Sequence, residues 1–133
     1  MDKREVVKNR KISSIQFANL RITVGWNSYS EKLETALQNS YCQYSIVEED
    51  RLIGFVRVIS DHSLHAYIAD LMVDPRYQKQ GLGRLLLSRA VEDLKRENFP
   101  FIELIYNPEL ETFYKKLGFE IIGAGIIRNG KNQ

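Results

Sequence analysis

The sequence predicts an α/β domain with a mixed central sheet flanked by helices. Two observations carry that prediction. Three strand-length apolar runs stand in succession between Tyr41 and Val73, and helical patterns lie on both sides of them. The order (a little β, two helices, three strands, helix, strand, helix, β again) excludes a regularly alternating parallel fold.

Glu5 to Lys8 reads as a short first strand. Ser14 to Trp26 carries Ile15, Ala18, Ile22 and Trp26 three to four residues apart, the spacing of one helix face. Ser30 is an expected N-cap for a second helix, with Leu33, Ala36 and Leu37 on its inner side. Tyr41 to Val47 and Leu52 to Ile59 flank the turn Glu48-Glu49-Asp50-Arg51, a hairpin pattern with Gly54 as a candidate bulge. A third run, Ala66 to Val73, ends at Asp74-Pro75. Gly81 to Asn98 is the strongest helix pattern, with Leu82, Leu85, Leu86, Ala90 and Leu94 on one side. Phe101 to Tyr106 is the next strand, stopped by Asn107-Pro108. Glu109 to Leu117 reads as a short helix closed by Gly118 in a left-handed cap. Phe119 to Ile122 and Ile126 to Arg128 are expected to be closing strands.

The 133 residues suit a single domain, 1–133, since no repeat, low-complexity tract or linker divides them. A formal charge of +2 gives no argument for nucleic acid. The basic N-terminal cluster Lys3, Arg4, Lys8, Arg10 and Lys11 lacks interleaved aromatics and reads as a solvated edge. No apolar run approaches bilayer length, so no membrane association is expected. The one cysteine, Cys42, lies in an apolar run and reads as a small core residue, consistent with a reducing, cytoplasmic setting. His62 and His65 stand on a loop-to-strand stretch without supporting ligands, and no metal is expected.

The stretch Leu71-Met72-Val73-Asp74-Pro75-Arg76-Tyr77-Gln78-Lys79-Gln80-Gly81-Leu82-Gly83-Arg84 holds the strongest chemical signal. A strand stops at a proline, a basic turn follows, and two glycines open a helix. Free N–H groups at a helix start form an anion site, and Arg76, Lys79 and Arg84 add charge around it. A Walker loop is excluded, because the spacing and the lysine–hydroxyl pair are missing. A dinucleotide loop would need a third glycine where Leu86 stands, and too little chain follows for its second half. The remaining pattern is Gln/Arg-x-x-Gly-x-Gly/Ala, met by Gln78, Gly81 and Gly83. A second block, Phe113-Tyr114-Lys115-Lys116-Leu117-Gly118-Phe119, lies one helix and one strand downstream.

With both blocks in that order, the chain resembles the GNAT superfamily of acetyl-CoA-dependent N-acetyltransferases, in the style of small stand-alone bacterial members. The resemblance covers Tyr41 to Phe119 and implies an acyl-CoA N-acyltransferase fold. It assigns Lys79, Gln80, Gly81, Leu82, Gly83 and Arg84, with Gln78, to the CoA pyrophosphate. It also implies that the backbone of Leu71, Met72 and Val73 pairs with the pantetheine arm, and that Asn107 contacts that arm. The cosubstrate so implied is acetyl-CoA.

Acetyl transfer to an amine needs a neutral nucleophile, a donor to the oxyanion and a proton for the departing thiolate. A thiol titrates near 8.5 and a phenol near 10, roughly, so a tyrosine can supply that proton. Tyr114 matches the family's general acid. For the base, Asp70 on the strand beside the thioester is the first candidate, ahead of Asp61, His62 and Glu103. Trp26 and Tyr29 fall where family members wall the acceptor. The expected function is transfer of acetyl to a primary amine of a small molecule. The alternatives are a lysine or N-terminal acetyltransferase and a non-catalytic acyl-CoA sensor. The C-terminal segment offers strand edges through which two copies could pair as a homodimer.

Overall fold

A computed structural model describes residues 4–130. Five strands, β1 (Val7–Lys8), β2 (Cys42–Glu48), β3 (Arg51–Ser60), β4 (His65–Val73) and β5 (Phe101–Leu104), lie side by side in chain order. Pairing is antiparallel from β1 to β4 and parallel between β4 and β5. The mixed sheet follows from local chain length. Short turns join β2, β3 and β4, whereas the parallel step is bridged by α3 (Leu82–Arg96).

Helix α3 covers one face of the sheet. Leu82, Leu86, Leu87, Ala90 and Leu94 pack on Tyr44, Ile46, Val56, Val58, Ala66 and Ile68. Leu85, expected on that side, is 46% exposed. The other face is covered by α1 (Ser14–Thr23) and α2 (Leu33–Gln38), where Phe17, Leu20 and Leu33 meet Leu52, Phe55 and Met72.

The inner face of α1 is not the one its spacing suggests. Ile15 and Ile22 are exposed, and Phe17 and Leu20 are buried. Helix α1 carries two overlapping stripes, and the one with the aromatic residue wins. The Phe17 ring meets Phe55 at 4.8 Å, more apolar area than an isoleucine offers. Ser13 opens α1 through a reciprocal capping box with Gln16, and the N-cap of α2 is Lys32 instead of Ser30.

Gly54 lies beside a register shift in which Ile46 pairs with Gly54 and Val47 with Leu52. The glycine also gives α3 room: a Cβ there would stand 3.0 Å from Leu86 Cδ1. A second bulge, unforeseen from sequence, interrupts β4. Phe55 faces Met72 and Arg57 faces Ala69, so Asp70 and Leu71 together oppose Val56. Asp70 takes φ +58°, and the inward side of the strand changes parity there. Ala66 and Ile68 face α3 before the bulge, and Leu71 and Val73 do so after it.

The closing strands do not form. Residues 119–129 have no regular structure, and Ile122, Ile126 and Ile127 are exposed. Gly123 and Gly125 cut this stretch into runs too short to hold a ladder. The segment runs beside β5 and leaves a 510 Å³ hollow. Gly118 does close the short helix α4 (Glu111–Lys116), with φ +96° and its N–H on the Lys115 carbonyl.

Candidate active site

The site forms where β4 and β5 part. Their pairing ends at Ile68 and Leu104, yet β4 continues to Val73. A cleft of 230 Å³ opens between them, lined by Trp26, Ala69, Asp70, Leu71, Tyr106, Asn107 and Tyr114 among others. Five residues singled out from sequence on four parts of the chain therefore meet in one place: Trp26 after α1, Asp70 and Leu71 on β4, Asn107 after β5, and Tyr114 on α4.

The glycine loop follows the end of β4. Asp74 is buried, and its carboxylate accepts from the Arg76 backbone N–H at 2.9 Å and from the Arg76 guanidinium at 3.2 and 2.9 Å. Arg76, expected to add charge to the anion site, is thereby committed to shaping the turn. Gln78 donates its amide to the Val73 carbonyl at 2.9 Å, which fixes the loop against the strand. Lys79 and Gly81 both take left-handed backbone, at φ +64° and +80°. Gly81 is the N-cap of α3 and brings no side-chain oxygen to the helix start. The first helical bond runs from Leu85 N–H to the Gly81 carbonyl, so the N–H groups of Leu82, Gly83 and Arg84 face outward. An uncapped start of this kind attracts an anion by both hydrogen bonds and helix dipole.

The side chains assigned by resemblance divide. Lys79, Gln80 and Arg84 are exposed, and Gln80 accepts a hydrogen bond from Arg4. Leu82 is buried beneath α3 and Met72 on the opposite face of the sheet, so each can offer only its backbone. Leu71 and Val73 are half-buried. Asn107 uses its side-chain oxygen to cap the turn that follows, accepting from Glu109 N–H at 3.0 Å. It lines the cleft as well.

Tyr114 is 6% exposed and ringed by Tyr106, Phe113 and Phe119 at 5.1, 5.1 and 6.0 Å. Its hydroxyl has no hydrogen-bond partner among the described residues. Burial pushes its ionisation up, so the phenol stays protonated and available as a donor.

Asp70 is held by two guanidiniums, Arg21 Nη1 at 3.1 Å on one oxygen and Arg57 Nε at 2.5 Å on the other. Neither arginine was singled out from sequence. Arg57 did leave a signal, a charge inside the apolar run Leu52 to Ile59, which requires a partner. The other acid–base candidates lie elsewhere. Asp61 accepts from the N–H groups of Ser63, Leu64 and His65, bonds that hold its carboxyl below the ordinary range. His62 packs on Tyr41, and Glu103 pairs with His65 at 2.7 Å. That pair sits at the start of β4, roughly 15 Å along the strand from Asp70. No cluster of metal-ligating residues occurs among the described residues, and no described helix is long and apolar enough to cross a membrane.

Comparison with known proteins identifies the family. The profile of the Acetyltransferase (GNAT) family matches residues 11–119. The histone acetyltransferase TAP1 of Glycine max is 38% identical over 115 residues, covering 77% of this chain and 50% of the soybean protein. The uncharacterized N-acetyltransferase ycf52 of Pyropia yezoensis is 32% identical over 116 residues, 84% of this chain and 67% of the algal protein. The chain thus spans between half and two thirds of the length of these two relatives. A crystal structure of a probable acetyltransferase from meticillin-resistant Staphylococcus aureus superposes with a TM-score of 0.82 at 27% identity, covering 93% of this chain and 99% of that one. Profile, relatives and fold agree with one another: the chain belongs to the GNAT family of acetyltransferases.

Proposed function

We propose that the chain transfers the acetyl group of acetyl-CoA directly to a primary amine of a small molecule. The observation that carries this reading is the unpartnered hydroxyl of the buried Tyr114, which lines the cleft at the β4 bulge, together with the uncapped start of α3 after the same strand. A pyrophosphate on the N–H groups of Leu82, Gly83 and Arg84 would let the pantetheine arm run along Leu71 to Val73. The thioester would then reach the cleft at the bulge. Backbone N–H groups there can polarise its carbonyl. The neutral amine attacks, and the Tyr114 phenol gives its proton to the leaving CoA thiolate. The amine's own surplus proton passes to water, so no covalent enzyme intermediate is needed. Cys42, buried on the far side of the sheet's centre, has no place in this scheme; burial raises its thiol ionisation, which leaves it inert.

A second reading, acetylation of a protein lysine, is favoured by the 38% identity to a histone acetyltransferase. Thiol release from acetyl-CoA, followed with a panel of small amines and a panel of lysine peptides, tests both. Turnover only with peptides overturns the small-molecule reading. Binding of acetyl-CoA without turnover on either panel supports a sensor.

A further inference from the structure

Asp70 is the one acidic residue lining the described cleft, and its surroundings are unlike those of a proton acceptor. Arg57 reaches it from β3 and Arg21 from α1, one guanidinium on each carboxylate oxygen. Arg21 extends further, donating from Nε to the Asn27 carbonyl at 2.7 Å. Its guanidinium lies 5.3 Å from the Trp26 ring and 5.6 Å from Tyr29. Arg57 also approaches the Ser40 hydroxyl at 3.4 Å. One carboxylate thus connects the β4 bulge, the centre of β3, the last turn of α1 and the loop bearing Trp26.

We propose that Asp70 is a positioning residue, whose clamp by Arg21 and Arg57 fixes the left-handed bulge of β4 and registers the amine-side wall at Trp26 against it. This rests on the acetyl-transfer reading above. The charge balance agrees: two guanidiniums face one carboxylate, and the remaining ionisable neighbour, Tyr67, is held neutral by burial and by the Asp70 charge. A carboxylate with both oxygens engaged by cations has little left to offer an ammonium proton. A left-handed aspartate is also an uncommon backbone state that surrounding structure must enforce, and the two arginines enforce it.

The test compares Asp70→Asn with Arg57→Lys and Arg21→Lys, each first checked for native circular dichroism. The clamp predicts that all three lower kcat/KM for the amine, by up to about 10²-fold, through misplacement of the reacting groups. It predicts that the shape of the pH profile stays as in the parent, because no ionising catalytic group is removed. If only Asp70→Asn loses activity, and with it one ionisation of the profile, Asp70 is the base and the proposal fails. A readout independent of turnover is available because Trp26 is the chain's single tryptophan. Releasing Arg21 in Asp70→Asn should red-shift its emission and increase acrylamide quenching. Unchanged emission and quenching overturn the clamp even if the parent proves inactive with every amine, which would overturn the acetyl-transfer reading alone.

Discussion

Tyr44, wholly buried at the centre of β2, donates its hydroxyl to Asp93 of α3 at 2.8 Å. Arg89 and Arg96 reach the same carboxylate at 3.3 and 3.1 Å, and Lys8 of β1 stands at 3.8 Å. Burial alone would raise the Asp93 carboxyl. The Tyr44 hydroxyl, Lys8 and Arg89 outweigh it and hold the group below the usual carboxylate range. A depressed native value gives stability that is complete above the unfolded value, near 4, and lost as pH falls through the native one. Asp93→Asn should therefore destabilise the fold at pH 7 by about 1–3 kcal/mol. The gap to the parent, measured by urea unfolding, should narrow below about pH 4. A gap that persists undiminished at pH 3 would show that charge is not what Asp93 contributes.

Tyr114→Phe keeps the ring that packs on Tyr106, Phe113 and Phe119, and removes only the hydroxyl. Turnover should fall by about 10²-fold or more. Calorimetric affinity for acetyl-CoA and thermal stability should stay close to the parent's. Parent-like turnover would remove Tyr114 from the reaction.

The two glycines of the loop should respond in opposite ways. A Cβ on Gly81 meets nothing within 4 Å, yet the residue sits at φ +80°, so Gly81→Ala should cost about 1 kcal/mol in backbone strain. Gly83 is helical, and a Cβ there would lie 3.7 Å from Val73 Cγ2, an ordinary contact. Gly83→Ala should thus stabilise slightly, by about 0.5 kcal/mol. It should nonetheless weaken CoA binding, because the methyl is added at one of the N–H groups proposed to receive the phosphates. Thermal unfolding and CoA titration of both variants separate the effects. Loss of stability in Gly83→Ala would contradict this.

Gly54→Ala tests how closely α3 presses on the sheet. The added methyl would stand 3.0 Å from Leu86 Cδ1 and 3.3 Å from Ile46 Cδ1, and both side chains are fully buried. A loss of about 1–3 kcal/mol is expected from overpacking. The double variant Gly54→Ala/Leu86→Ala should lose less than the sum of the single changes.

Much of this was legible because it is local. The period of α3, the left-handed cap at Gly118 and the proline after Asp74 announce themselves within a few residues. The cleft was legible only through the pairing of two motifs. What escaped is non-local. Nothing within α1 says that Phe17 outcompetes Ile15, since Phe55, its partner, is fixed by the sheet. Nothing near Arg76 says that its charge is used inward, on Asp74. The C-terminal isoleucines look like strand, but a strand also needs a neighbour, and none accepts them among the described residues.

The bulge in β4 has a consequence for how the chain could tolerate change. Without Asp70, the run Ala66, Tyr67, Ile68, Ala69, Leu71, Met72, Val73 alternates perfectly, and every side chain keeps the face it occupies now. Asp70 therefore reads as a single-residue insertion into a regular strand, contributing nothing to the apolar pattern. A chain lacking that residue should retain its core, while Arg21 and Arg57 lose the group that joins them. Length is a variable here as much as residue type: at this point in the sheet, folding alone asks for a strand one residue shorter than the one present, and the proposed clamp asks for the extra residue.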